Sequence, residues 1–173
     1  MTQDFNFAEP IVDPIEFASQ LVETCKVKGG FGLAAPQVGV LARVFVMGSG
    51  DDYVAFFNPK ILRSSEDTSI IAEGCLSFPE LRYETPRAFK AVAKGFNMHG
   101  EPILIEGSEL MARALQHETD HLDGILFIDR LPANLRKEAM AEIRTSDWFL
   151  QAEASGNSPI IKTSPHSTKG LGF

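Results

Sequence analysis

His117-Glu118-Thr119-Asp120-His121 is an H-E-x-x-H. Residues four apart on a helix lie one above the other, so both imidazoles can reach one ion. Glu118 sits on the neighbouring edge of that face, where it can take a proton from a water activated by the metal. The competing account is an ordinary helix that carries two histidines by chance, since a lone buried histidine is more often a core residue than a ligand. Two at this spacing with a glutamate between them weigh against chance. Buried ionisable groups without partners are costly, and a metal removes that difficulty.

A catalytic metal site needs a third protein ligand and keeps one position open. The candidates are Cys75, His99, His166 and the acidic residues. His99 falls in an expected hairpin turn and His166 in a polar tail, which makes both weak. Cys75 follows Glu73-Gly74 at the end of an apolar stretch, and Gly74 lets the backbone bend there or approach a ligand closely. A thiolate with two imidazoles suits Zn²⁺, Fe²⁺, Co²⁺ or Ni²⁺ and disfavours Mg²⁺ or Ca²⁺. Spacing alone leaves Cys75 evenly balanced between a ligand and a small core hydrophobe. A further segment, Gly30-Phe31-Gly32-Leu33-Ala34-Ala35-Pro36-Gln37, has two glycines that permit close backbone approach and one amide, Gln37, in apolar company. It is a poor phosphate loop, lacking the full glycine pattern, the lysine and a following helix.

The elements that must position these residues follow from periodicity and punctuation. Asp13 as N-cap and Pro14 at the first position start a helix over 14–26, with Ile15, Ala18, Leu21, Val22 and Cys25 at helical spacing and Gly29-Gly30 ending it. Cys25 then belongs to the core. Short strands are expected over 44–47, 53–57, 70–72, 89–96 and 102–106, the last two joined by a turn at Met98-His99-Gly100-Glu101. Ser108 is placed to cap a second helix that runs to about Leu122 and stops near Gly124. On that helix Leu110, Ala114, His117 and His121 form one stripe, flanked by Met111, Leu115 and Leu122. A third helix is expected over 134–150. Strands that follow one another without crossover helices point to an α+β fold of antiparallel sheet. Residues 1–150 read as a single catalytic domain and 151–173, rich in Ser, Gly, Thr and Pro, as a loose tail.

Bulk properties exclude several classes. The chain has 173 residues, the length of one domain, and no apolar run approaches the roughly 20 residues of a membrane helix. MTQDFNFAEP has neither a basic nor an apolar region of the signal-peptide kind. A net charge of −7 argues against general or sequence-specific nucleic-acid binding, which needs clustered Lys and Arg. Cys25 and Cys75 are the two cysteines, too few for a disulfide framework, so a reducing compartment such as the cytoplasm is expected.

Together the three segments resemble peptide deformylase. That family combines G-Φ-G-Φ-A-A-x-Q, E-G-C-L-S and Q-H-E-x-D-H-L-x-G in this order, matched here by Gly30–Gln37, Glu73–Ser77 and Gln116–Gly124. The resemblance runs from about Gly29 to Leu131 and implies antiparallel sheets packed around a central helix that carries the H-E-x-x-H. It implies that Cys75, His117 and His121 bind one divalent metal, with Fe²⁺ expected and Zn²⁺, Ni²⁺ or Co²⁺ able to replace it. Glu118 resembles the general base that passes the proton on to the departing amine. Gln37 and the backbone N–H of Leu76 match the oxyanion donors, and Glu73 and Arg87 match a pair that braces the cysteine segment. Arg82 matches a residue near the bound peptide, and Gly32, Gly74 and Leu76 match backbone that aligns the peptide. The implied substrate is the N-formyl-methionyl end of newly made polypeptides, with an apolar pocket beside the metal for the methionine.

The sequence also departs from the family. Gly30 arrives early, so an N-terminal arm shorter than usual leaves an edge of the sheet differently covered. In some relatives a C-terminal helix docks on the ribosome. Here Arg136, Lys137 and Arg144 mix with Glu138 and Glu142, which reads as a solvated face, so a ribosome contact is at most transient. The rival readings are an H-E-x-x-H zinc peptidase and a catalytically silent metal- or peptide-binding module. The intact Glu73–Ser77 segment counts against the first, and the retention of Glu118, Gln37 and Leu76 against the second.

Overall fold

The computed structural model describes residues 1–156. His166 and the polar stretch from 157 onward lie outside the described residues. The first helix, α1 (Pro14–Val27), starts as its sequence dictates: the Asp13 carboxylate accepts from the Glu16 N–H at 2.8 Å, and Gly29 beyond its end has φ 66°. Seven strands follow, interrupted by one helix. They are β1 (Gly32–Ala34), β2 (Val44–Ser49), β3 (Asp52–Ser64), β4 (Thr68–Cys75), β5 (Phe78–Ala88), β6 (Lys90–Phe96) and β7 (Pro102–Ser108), after which α2 (Glu109–Leu122) begins. Pairing is antiparallel throughout, in a five-stranded sheet of order β1-β2-β3-β6-β7 and a two-stranded sheet β4-β5. The expected α+β architecture with a central H-E-x-x-H helix is the one observed.

β2 shows why α2 lies where it does. Its alternating side chains bury both faces of the sheet: Val44 and Val46 pack against Phe17, Ala18, Leu21 and Cys25 of α1. Phe45 and Met47 face Ala112, Leu115 and Leu122 of α2. The sheet is thus sandwiched between the two helices. The β4-β5 hairpin closes over a third apolar cluster, in which Phe78 and Leu81 meet Phe127, Ile128 and Leu131. α2 therefore runs through the middle of the molecule, and ten of its residues are buried.

Several expectations are corrected. Leu110 and Met111 stay exposed at the first turn of α2, so the buried stripe begins at Ala112 and includes the charged Arg113. Ser108 occupies the N-cap position, but its hydroxyl makes no capping bond. β5 had no sequence signal because Pro79 and Pro86 interrupt its pattern, and a two-stranded sheet tolerates prolines that a central strand does not. The third helix divides into α3 (Ala133–Thr145) and α4 (Asp147–Ala154). Ser146 is extended there (φ −73°, ψ 144°) and its hydroxyl donates to Ile143 O, and the turn seats Trp148 against Phe78. Helix thus continues past the expected start of the tail at residue 151. The N-terminal arm lies on the body: Gln3 bridges Ala42, Thr2 Oγ1 donates to Leu122 O, and Phe5 and Phe7 pack on Phe57.

Candidate metal centre

Cys75 is the last residue of β4, and the hairpin register slips between Gly74 and Cys75, so that Cys75 pairs with Phe78. This irregularity aims the sulfur at α2. Cys75 Sγ lies 3.2 Å from His121 Nε2, which lies 3.2 Å from His117 Nε2, and the three donor atoms are all within 4.8 Å of one another. Tetrahedral coordination at ordinary zinc bond lengths separates such atoms by about 3.3–3.6 Å. Both histidines present the same nitrogen to one point, an arrangement that a cation between them satisfies.

Behind these residues is a buried charge network. Glu73 Oε1 lies 2.6 Å from His117 Nδ1, and the same carboxylate accepts from Arg87 Nη2 at 2.7 Å, Arg87 Nε at 3.1 Å and Arg113 Nη1 at 2.6 Å. Burial alone would raise the Glu73 pKa, but its hydrogen bonds to His117 and Arg87 hold it down at about 2. An ionised carboxylate can only accept, so His117 Nδ1 donates and Nε2 is left to the metal point. Arg87 Nη1 also donates to Asp120 Oδ2, and Asp120 takes two further bonds from Arg130.

The acidities of the converging side chains are shaped by the same neighbours. Burial would push the Cys75 thiol up, yet the His117 and His121 imidazoles outweigh it and bring it down to about 5. The His117 ring would be lowered by burial, but the Cys75 sulfur and the Glu73 carboxylate raise it to about 10. The pair thus carries a thiolate beside an extra proton, and binding a divalent cation takes that proton's place. Glu118 is pushed up to about 7, chiefly by burial. Its Oε2 is the one buried side-chain oxygen or nitrogen among the described residues without a hydrogen-bond partner. An orphaned acceptor beside three converging ligands is what a site built around an ion and its reacting partner requires. The donor set and this orphan fit one divalent metal.

The remaining expected residues fall around this point. A Cβ on Gly32 would lie 2.7 Å from Glu118 Cδ and closer still to Oε1, so that glycine lets the first segment pass over the carboxylate. Gly32 belongs to β1, the edge strand of its sheet, with one side unpaired among the described residues. Gln37 Oε1 accepts from the Ala34 N–H at 2.8 Å, which leaves Nε2 3.7 Å from Cys75 Sγ. Arg82 pairs in register with Gly74, and its Cγ lies 3.3 Å from where a Gly74 Cβ would stand. Cys25 is fully buried in the core beneath α1. His99 is exposed in the β6–β7 turn, far from any ligand role. Arg113, Asp120 and Arg130 were missed. The signal for Arg113 was a cation one helical turn before His117, on a face otherwise given to the core.

Fold and site together define a metal-dependent hydrolase of the H-E-x-x-H kind, with a cysteine beside the two histidines in a group that could hold the ion. Comparison with known proteins places it more narrowly. A family model for polypeptide deformylase matches residues 5–137, which takes the likeness well into the N-terminal arm. A peptide deformylase of Acidothermus cellulolyticus is 48% identical over 167 residues, spanning 94% of this chain and 89% of that one. The peptide deformylase structure of Thermus thermophilus superposes with a TM-score of 0.79 at 35% identity, over 88% of this chain and 92% of that one. A peptide deformylase of Synechococcus elongatus in complex with actinonin gives a TM-score of 0.72 at 33% identity, over 81% and 78%. The chain belongs to the polypeptide deformylase family, metal-dependent hydrolases that remove the N-formyl group from newly made peptides.

Proposed function

We propose that Cys75, His117 and His121 hold the catalytic ion, that this ion is ferrous iron, and that the substrate is the N-formyl-methionyl end of nascent chains in the cytoplasm. The observation that carries the assignment is the convergence of one sulfur and two Nε2 atoms beside the partnerless Oε2 of Glu118. A divalent ion there supplies Lewis acidity, lowering the pKa of water and polarising the formyl carbonyl.

The chain's own residues account for the rest. Glu118, held near neutrality by its burial, takes the proton from the attacking water and delivers it to the departing amine. The formyl C–N bond breaks, giving formate and a free N-terminal amine. Gln37 Nε2 and the Leu76 N–H donate to the oxyanion of the tetrahedral intermediate, a contribution worth about 3 kcal/mol when one donor is lost. The unpaired side of β1 at Gly32 receives the peptide as an added strand, with Gly74, Leu76 and Arg82 lining its other side. Glu73 and Arg87 fix the orientation of His117. A thiolate ligand makes a weaker Lewis acid than a carboxylate would, which suits a small, reactive formyl group better than an internal peptide bond. Contact with the ribosome is transient in this reading, since α3 buries Ala139 and Ile143 and leaves Lys137, Glu138, Glu142 and Arg144, charges of both signs, facing outward.

The test is formate release from a short N-formyl-methionyl peptide by anaerobically purified protein of determined metal content, alongside the chelated enzyme. Turnover with iron bound, lost on chelation and restored by Fe²⁺, is expected. Turnover that tracks zinc content alone would overturn the choice of iron, and cleavage of internal peptide bonds would favour the peptidase.

A further inference from the structure

Gln37 is the one oxyanion donor that is a side chain, and the two ends of an amide are nearly isosteric, so its partners decide which end faces the metal. The Ala34 N–H can only donate, and it meets Oε1 at 2.8 Å. That contact anchors the oxygen end alone. The terminal torsion of a glutamine is broad, so an amide held at one end can still swing at the other. The second hold comes from Ser77. Gln37 Nε2 donates to Ser77 Oγ at 2.9 Å, and the Ser77 backbone N–H lies 3.4 Å from Cys75 Sγ. Nε2 has two hydrogens. With one committed to Ser77, the other is left for the side of Nε2 that faces Cys75 Sγ, 3.7 Å away.

We infer that Ser77 is a positioning residue for the reaction: its hydroxyl accepts one hydrogen of Gln37 Nε2 and so turns the other toward the oxyanion. The inference rests on Gln37 serving as an oxyanion donor, as proposed above. Ser77 does not act on the substrate itself in this account. It couples the short 3₁₀ helix that carries Gln37 (Ala35–Val38) to the strand end beside Cys75, Gln37 and Ser77 being 40 residues apart in sequence.

The test is a double-mutant cycle in the metal-loaded enzyme, reading kcat, KM and metal content for wild type, Ser77→Ala, Ser77→Thr, Gln37→Leu and the double variant Ser77→Ala/Gln37→Leu. Ser77→Ala is expected to lower kcat roughly tenfold, the loss of one hydrogen bond, with KM and metal content unchanged. Ser77→Thr, which keeps the hydroxyl, restores most of it. Gln37→Leu lowers kcat by about 10²- to 10³-fold. In that background Ser77→Ala changes kcat by less than about twofold, because the group it positions is gone. A full second loss in the double variant overturns the inference, as does a wild-type kcat in Ser77→Ala or loss of its metal. Failure of Gln37→Leu to slow the enzyme overturns the donor role of Gln37 and the inference with it. A wild type that releases no formate removes the reaction itself, which separates that failure from the others.

Discussion

The Glu73 carboxylate lies 2.6 Å from Nδ1 of His117, while Nε2 of the same ring faces His121 Nε2 and the sulfur of Cys75. One side chain thus fixes the tautomer of a proposed ligand, raises its basicity and is itself clamped by Arg87 and Arg113. Outer partners of this kind change metal affinity by about 10- to 100-fold. Glu73→Gln keeps the shape and removes the charge, so competition with a chromogenic chelator should show metal affinity reduced by that factor. Wild-type affinity in the variant would mean that the ring is oriented by packing alone.

Glu118 sits one residue after His117, a proposed ligand, and its Oε2 has no hydrogen-bond partner among the described residues. Glu118→Gln preserves volume and abolishes proton transfer, so kcat should fall by about 10²- to 10⁴-fold. Metal content should remain at the wild-type level, because Glu118 is not among the three converging side chains that could hold the ion. Elemental analysis alongside formate release separates the two effects. Loss of metal in this variant would make Glu118 part of the ligand shell.

Gly32 offers a steric test of the same carboxylate. Its φ is not in the left-handed region, so alanine meets no backbone objection, but the new methyl would overlap the Glu118 carboxylate. Gly32→Ala is therefore expected to displace Glu118 and lower kcat by a factor near that of Glu118→Gln, about 10²-fold or more, with the melting temperature lowered by a few degrees through overpacking. If activity survives, the β1 backbone can shift away from α2, and the close approach is not required.

The pair of histidines was legible because their relation is local: four residues on one helix place them together whatever the rest of the chain does. Cys75 was not, since the 42 residues to His117 say nothing about a hairpin folding over α2, and only the combined pattern of three segments pointed to it. Arg113, Asp120 and Arg130 form ion pairs between β4, β5, α2 and the turn at Phe127–Arg130, contacts that no periodicity encodes. β5 was hidden by its two prolines. The break at Ser146 was hidden because helical spacing continues through it, and the need to bring Trp148 onto Phe78 arises only in the folded chain.

The two cysteines should answer differently to a thiol reagent. Cys25 is fully buried, and burial pushes its thiol up to about 11, with Tyr53 pulling modestly the other way. At pH 8 only about one molecule in a thousand carries the Cys25 thiolate, which is the reactive form. Cys75 is only partly buried and is drawn down to about 5 by its histidine neighbours. Iodoacetamide followed by peptide mass mapping should therefore find neither cysteine modified while the metal is bound, and Cys75 alone modified after chelation. Alkylation of Cys75 in the loaded protein would remove it from the ligand set. The same burial has a consequence for stability. The unfolded thiol ionises near 9 and the folded one near 11, so the unfolded chain binds fewer protons between those values and stability falls as pH rises. Below pH 9 the contribution is fully present. Denaturant titrations of wild type and Cys25→Ala should then differ by a constant amount up to pH 9 and draw together between pH 9 and 11, whereas parallel curves across that range would show that Cys25 ionises as freely in the folded protein as in the unfolded chain.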